Sequence, residues 1–381
     1  MNVLHIITGL STGGAEQALC NLLAGGLAQS GDAAVLSLRD EGAYGQKIRD
    51  LGVPVYTLGM RRGLPGPGVL TRLRALVRQQ QPDLIQGWMY HGNLAAWLAQ
   101  RMALGRPVLV WNIRHSLYGL SGEKRMTRQV IRANRLLSRW ADAILYNSEL
   151  SRKQHAAFGF ADGRGRVIPN GFDLDRLRPD RVQGAQVRRT LGIPDTARVV
   201  GHVARFHPMK DHALFLRAAV RVAEENQDVC FLLVGREVEL ENPALKGLVP
   251  KDLEDRFLCL GERQDIVSLM QAMDLFCLSS WSEAFPNVLG EAMATGVPCV
   301  TTDVGDSAFI VGDTGVVVLS GDDDALFNGL MGVLDKAPEG RRALGRGARE
   351  RIEANFGLAA VVDQYANLYE NLAAIRRPED E

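Results

Sequence analysis

Short unbroken apolar runs alternate with amphipathic stretches along the first half of this chain. "NVLHIIT" (2–8), "AAVLSL" (33–38), "VPVYTL" (53–58), "DLIQGW" (83–88), "PVLVWN" (107–112) and "DAILYN" (142–147) read as strands. Several lack polar alternation, the pattern of strands covered on both faces. Helical periodicity fills the gaps at 15–29, 68–80, 92–104 and 123–140. Strand–helix alternation predicts a parallel, doubly wound α/β sheet. The pattern lapses over "IPNGFDLDRLRPDRVQGAQVRRTLGIPD" (168–195), where proline, glycine and charge predict a linker. It restarts with strands at 198–206, 228–235, 256–261, 274–280 and 298–303, and helices near 211–226, 264–272 and 287–295. The expected domains are 1–172 and 173–357, with 358–381 a C-terminal helix packing back across the junction. No solenoid repeat is visible. Open wound sheets bind ligands at the carboxyl ends of their strands, so two of them facing each other predict a cleft that holds the chemistry.

Composition adds three things. With 381 residues the chain is too long for one ordinary core, and 46% hydrophobic with 23% charged residues is globular. Formal net charge is zero, yet residues 1–178 hold 23 basic and 12 acidic side chains, giving +11, and the rest carries −11. A basic first half is expected to meet anions at a surface. Five cysteines without a CxxC read as buried free thiols in a reducing cytoplasm. Segment 1–30 lacks a basic leader, and no run is long and apolar enough to span a bilayer. The expected location is the cytoplasm, with peripheral contact at the inner face of the plasma membrane, and no nucleic-acid partner is expected.

The segment "EAFPNVLGE" (283–291) places carboxylates eight positions apart around a helix start. Glu283 follows the strand at 274–280. Pro286 suits a first helical turn, and Gly296 with Pro298 stops the helix. Amides near Phe285 and Asn287 at a helix N-terminus favour phosphate. Glu283 and Glu291, on either side of it, suit sugar hydroxyls, which a carboxylate accepts well. From spacing alone, a helix with an incidental glutamate at each end fits equally well.

"EAFPNVLGEAMATGVPCV" resembles the E-x7-E segment of retaining GT-B glycosyltransferases, in particular family 4 (glycosyl transferases group 1). "GLSTGGAE" (9–16) is similar to the family's glycine-rich first loop, "IPNGFD" (168–173) to its linker signature, and "ARFHPMKD" (204–211) to the segment carrying an arginine and a lysine. The resemblance covers nearly the whole chain. It implies the GT-B fold, two Rossmann-like domains across a cleft, and a hexosyltransferase-type enzyme of bacterial envelope or exopolysaccharide synthesis. Arg205 and Lys210 would clamp the diphosphate of a nucleotide sugar, a UDP-sugar foremost. Glu291 would bind the ribose, and Glu283 would contact the transferred sugar. Two fixed cations stabilise the charge that grows on the leaving diphosphate, so no cofactor and no metal are expected.

Other residues are placed less firmly. Gly13 and Gly14 would let substrate approach the backbone, although the spacing is not GxGxxG and a plain tight turn also fits. His91 is expected near the donor sugar, as the family commonly has it. Arg114 and His115 are candidates for acceptor contact, and Arg263 for base or ribose contact. Ser148 caps the following helix on this reading. Phe309 stands where similar sequences often carry an acid. Arg125, Arg128, Arg132, Arg135 and Arg139 cover an arc of about 80° on one helix, with Met126, Val130, Ala133, Leu137 and Trp140 expected to pack inward. That stripe is either a solvated face or a contact for anionic lipid or a polyprenyl-diphosphate glycan acceptor. Two rivals share the fold: a non-catalytic nucleotide-sugar sensor and a sugar-nucleotide epimerase.

Overall fold

The computed structural model describes residues 1–11, 13–29, 31–60, 66–120 and 124–376. Thr12 of the glycine-rich loop, Glu123 at one expected helix start and 377–381 of the C-terminal segment lie outside the described residues. The chain divides into two compact units, Met1–Asp173 with the segment from Leu358, and Leu174–Gly357.

In the first unit the strands are β1 (Val3–Ile7), β2 (Ala33–Ser37), β3 (Val55–Thr57), β4 (Leu84–Trp88), β5 (Val108–Ile113), β6 (Ala143–Tyr146) and β7 (Gly165–Val167). They form a parallel sheet of order β3-β2-β1-β4-β5-β6-β7. β1, β4 and β5 are buried along their whole length, as strands covered by helices on both faces must be. The covering helices are α1 (Gly14–Leu22), α2 (Gly42–Asp50), α3 (Pro67–Gln80), α4 (Met89–Met102), α5 (Arg125–Leu137) and α6 (Glu149–Phe158). Ser148 caps α6 by accepting from the Ser151 amide at 2.8 Å, as its position before the helix led us to expect.

The second unit begins its helices with α7 (Arg181–Thr190), followed by α8 (His212–Glu225), α9 (Ile266–Gln271), α10 (Asn287–Ala294), α11 (Ser307–Val311), α12 (Asp323–Leu334) and α13 (Pro338–Phe356). Its strands are β8 (Arg198–Val203), β9 (Val229–Val234), β10 (Phe257–Cys259), β11 (Leu275–Leu278), β12 (Cys299–Thr302) and β13 (Val316–Val318). They too are all parallel, in the order β10-β9-β8-β11-β12-β13. The core of this unit packs α8 and α12 on one face of the sheet, around Leu214, Phe215, Phe231, Leu275 and Leu330. Asp211 starts α8 by accepting from the Leu214 amide, and Asp322 starts α12 by accepting from Ala325.

Three local expectations are corrected. The predicted linker at 168–195 contains α7, which buries only Gly184 and Val187 and leaves Val182 exposed, too thin an apolar stripe to register as a period. The sequence patterning passed over β7 and β13, each of three residues and each at a sheet edge. Of the five thiols Cys20, Cys277 and Cys299 are buried, whereas Cys230 and Cys259 are half-buried; all are free. The last helix, α14 (Leu358–Arg376), packs within the first unit. Its Val361, Val362, Tyr365 and Tyr369 join the core of β1, β4 and β5.

Candidate active site

Strand order reverses direction once in each sheet. In the first it turns between β1 and β4, in the second between β8 and β11. The loops leaving such a pair of strands diverge and open a crevice at their carboxyl ends. The candidate residues fall on those four loops: Gly13 and Gly14 after β1, His91 after β4, Arg205 and Lys210 after β8, and Glu283 ahead of α10 after β11.

The second unit brings its candidates into contact. Lys210 Nζ donates to Glu283 Oε1 at 2.5 Å, with the two side chains 21% and 12% exposed. Ser280 Oγ donates to the same carboxylate oxygen at 2.7 Å. The Trp281 amide donates to the Met209 carbonyl at 3.0 Å, and its indole N–H donates to the Pro208 carbonyl at 2.9 Å. The two loops are therefore one stitched unit, with the exposed Trp281 ring at its edge. Two glycines let neighbouring chain segments close on these loops. Gly235 follows β9 at φ +158°, and a Cβ there would lie 1.9 Å from the Ala204 carbonyl oxygen. Gly305, at φ +58°, would place one 2.5 Å from the Ala284 oxygen. Arg205 is exposed and makes no hydrogen bond or ion pair among the described residues.

Pro286 precedes α10 as its N-cap residue, and its own side chain makes no capping hydrogen bond. Phe285 is buried, with its ring edge-on to Phe356 at 5.9 Å. Glu291 lies in the second turn. Burial raises its carboxyl pKa above the ordinary value, and the charge of Arg176 opposes the shift. No hydrogen bond from a described residue reaches this carboxylate. Arg263 is engaged on the surface by both oxygens of Asp265, at 2.8 and 2.7 Å. Phe309 is exposed, its ring edge-on to Phe356 and its carbonyl accepting from Arg351 at 2.6 Å.

The first unit places its candidates separately. Gly13 has an extended backbone that any residue adopts, and Gly14 faces open space. His91 is half-buried in the first turn of α4, two residues after Met89, whose φ of +61° marks a sharp turn out of β4. His115 meets Tyr90 edge-on at 6.5 Å. Arg114 donates to Tyr365 Oη at 3.2 Å and to Asn170 Oδ1, and lies 5.8 Å over the Trp88 ring. Those bonds tie the end of β5 to α14. On α5 the expected inward face holds for Val130 and Leu137, which pack against the core of the first unit, and is corrected at its two ends. Ile131 and Asn134 are buried, with Asn134 Nδ2 donating to the Tyr90 carbonyl at 3.0 Å, whereas Met126 and Trp140 are exposed. The buried face, centred on Ile131 and Asn134, is thus rotated from the expected stripe, and a 3-10 turn follows at Ser138–Trp140, where Trp140 is exposed. Arg125, Arg132, Arg135 and Arg139 are exposed, Arg135 with its guanidinium 5.7 Å over the Phe158 ring, and Arg128 is half-buried.

Sequence reasoning missed Arg176, Ser279, Ser280 and His202. Arg176 follows the "IPNGFD" signature by three residues, which was its one signal. The serines end the run at 274–280, which was read only as a strand.

Two parallel sheets in one chain, with cationic and carboxylate side chains placed after the strands where the order of the second sheet reverses, follow the plan of the two-domain GT-B glycosyltransferases. The family model described as Glycosyltransferase Family 4 matches residues 12–176, and the one described as Glycosyl transferases group 1 matches 197–336. The chain belongs to this family of glycosyltransferases. It is 26% identical over 317 residues to the UDP-Gal:alpha-D-GlcNAc-diphosphoundecaprenol alpha-1,3-galactosyltransferase of Escherichia coli, covering 79% of this chain and 78% of that one. It is 28% identical over 368 residues to D-inositol 3-phosphate glycosyltransferase 2 of Catenulispora acidiphila, covering 88% and 83%. Among solved structures, Anabaena Alr3699/HepE in complex with UDP superposes with a TM-score of 0.84 at 24% identity, covering 97% of this chain and all of that one, a likeness of fold.

Proposed function

We propose that this glycosyltransferase moves a sugar from a nucleotide sugar, a UDP-sugar foremost, to a glycan or polyprenyl-diphosphate-linked acceptor of the bacterial envelope, with retention of configuration and without a metal ion. The observation that carries the reading is the Lys210–Glu283 pair, on the loop after β8 that also carries Arg205, at the reversal of the second sheet. The UDP-galactose named for the Escherichia coli relative, and the UDP-glucose bound by Anabaena Alr3699/HepE, support the choice of donor. Arg205 and Lys210 take the diphosphate. Its negative charge grows as the bond to the sugar breaks, so fixed cations hold the transition state more tightly than the ground state. Amides near Phe285 and Asn287 face the phosphates, and Glu291 accepts the ribose hydroxyls. Glu283 contacts the departing sugar. Its carboxylate oxygen already accepts from Lys210 and Ser280, which blunts it as a nucleophile. That favours departure and attack on the same face, guided by the diphosphate. Gly13, Gly14 and His91 serve the sugar end, Arg114 and His115 the acceptor, and Arg263 the base. The exposed arginines of α5 meet anionic lipid at the cytoplasmic face.

The test incubates the protein with UDP-, GDP- and ADP-sugars and a lipid-diphosphate acceptor and follows nucleotide release and glycan formation. Arg205→Ala or Lys210→Ala is expected to lower turnover about 10²-fold, and excess EDTA to leave it intact. Wild-type turnover in both variants removes the assignment; loss in EDTA with rescue by Mg²⁺ removes metal independence. An unchanged donor marks a sensor and an epimerised donor marks an epimerase.

A further inference from the structure

Behind the cationic loop Ala204–Asp211 lie two buried histidines that the reaction itself does not use. His202 comes from β8 and His212 from α8, with ring centroids 4.7 Å apart and nearly edge-to-face. Phe215 and Phe206 close the pair off, at 4.7 Å from His202 and 5.5 Å from His212. Each ring has one nitrogen bonded and one not. His202 Nε2 lies 3.1 Å from Ser279 Oγ, and His212 Nε2 lies 3.3 Å from the Ala204 carbonyl oxygen. Nδ1 of both rings is buried without a hydrogen-bond partner among the described residues.

The hydrogens can be counted. A carbonyl only accepts, so His212 Nε2 carries the hydrogen it gives to Ala204. Ser279 has a single hydroxyl hydrogen, directed at the carbonyls of Lys210 and Asp211 at 3.0 and 3.1 Å. Toward His202 the hydroxyl is therefore the acceptor, and His202 Nε2 is the donor. Both rings are neutral in this arrangement. Burial lowers the His202 pKa well below its ordinary value and that of His212 to about 4, with the charge of Lys210 adding to both shifts.

We propose that His202 and His212 are positioning residues for the diphosphate-binding loop, each fixing one end of it as a neutral Nε2–H donor. His212 holds the Ala204 carbonyl, next to Arg205. His202 holds Ser279, which in turn holds the backbone of Lys210 and Asp211. The device is needed because Asp211 sits at a positive φ of +46°, a conformation costly for a residue with a side chain and kept only where its surroundings fix it. The inference rests on the reading of Lys210 as a diphosphate ligand. It adds that the lysine's place is set from behind by an imidazole–hydroxyl relay.

The first arm of the test needs no ligand. ¹⁵N-detected histidine spectra of the full chain at pH 7 are expected to show both rings as Nε2–H tautomers; an Nδ1–H tautomer or an imidazolium for either ring overturns the proposal. The second arm measures UDP affinity by calorimetry. His202→Phe keeps a ring but no donor, and Ser279→Ala removes the relay with almost no change in volume. Each is expected to weaken UDP binding about 10-fold, since that loosens a charged contact. His202→Gln and Ser279→Thr, which keep the donor and the hydroxyl, are expected to recover most of the loss. On a Lys210→Ala background neither loss is expected to recur, because the relay has nothing left to position. Losses that add fully to that of Lys210→Ala, or wild-type affinity in Ser279→Ala, overturn the proposal while leaving the lysine's role intact. An unaltered UDP affinity in Lys210→Ala alone instead removes the underlying reading, and the functional part of the inference with it.

Discussion

Glu291 is a carboxylate held in the second turn of a buried helix with no hydrogen bond to it from the described residues, and its raised pKa states what that costs. The folded chain binds this proton more tightly than the unfolded chain does. Stability is therefore reduced at every pH above the folded pKa, and the penalty fades as pH falls toward the ordinary value of 4.5. Glu291→Gln is expected to raise the melting temperature at pH 7, by an amount that shrinks as pH is lowered to about 4.5. The same substitution is expected to weaken UDP binding, because an amide accepts ribose hydroxyls less well than a carboxylate. Scanning calorimetry across pH with UDP titration checks both; a lower melting temperature at pH 7 contradicts the account. Glu283 behaves differently. Its carboxylate accepts from the Lys210 ammonium, so Glu283→Ala is expected to cut turnover while leaving UDP affinity unchanged or tighter. The candidate residues could be singled out from the sequence where they belong to spaced motifs, as Arg205, Lys210, Glu283 and Glu291 do. His202 and Ser279 were not legible, because their role depends on which carbonyl lies across a loop, and a one-dimensional pattern carries no such information.

At the level of elements, long apolar runs translated into strands almost residue for residue, because a parallel strand buried on both faces admits little polarity. The failures came where tertiary contact replaced pattern: α7 with its thin stripe, and α5, whose most buried residues are Ile131 and Asn134, to one side of the expected stripe. That rotation changes what α5 offers to a surface. Arg125, Arg132 and Arg139 are exposed alongside Met126, Leu136 and Trp140, which are 45%, 60% and 41% exposed. Cationic and apolar groups on one face suit the interface of an anionic bilayer. Arg139 also lies 4.4 Å over the Trp140 ring. No helix among the described residues is long and apolar enough to cross a membrane. Reversing Arg125, Arg132 and Arg139 to Glu is expected to abolish co-sedimentation with anionic vesicles at low salt and to leave UDP binding unchanged. The wild-type interaction should fade as salt rises, with screening reaching only a few ångströms near 1 M. Wild-type protein that stays in the supernatant with anionic vesicles reduces the stripe to a solvated face.

For the molecule as a whole, the first unit is built from both ends of the chain and the second is a continuous segment between them. The seam is marked by the Leu358 amide, which donates to the Phe172 carbonyl at 2.9 Å. Asn112 Nδ2 and Arg114 Nη1 both donate to Tyr365 Oη, at 2.8 and 3.2 Å. Tyr365→Phe leaves both donors without that acceptor and is expected to destabilise the first unit by about 1–3 kcal/mol. In urea, the unfolding transition reported by the first unit's buried Trp88 and Trp111 should shift to lower denaturant, while that of the second unit stays in place; a common shift of both contradicts the assignment. The discontinuity also has a meaning in time. On the ribosome, Met1–Asp173 emerges first but lacks α14, and Leu174–Gly357 must be made before that helix appears. At about 5–20 residues per second the interval is on the order of 10–40 s. During it, the sheet face that Tyr365 and Tyr369 will cover stands open, while the later-made unit already has every strand and helix it needs. Synthesis from the N-terminus thus completes the second unit before the first, and the nascent chain depends longest on protection at its oldest segment.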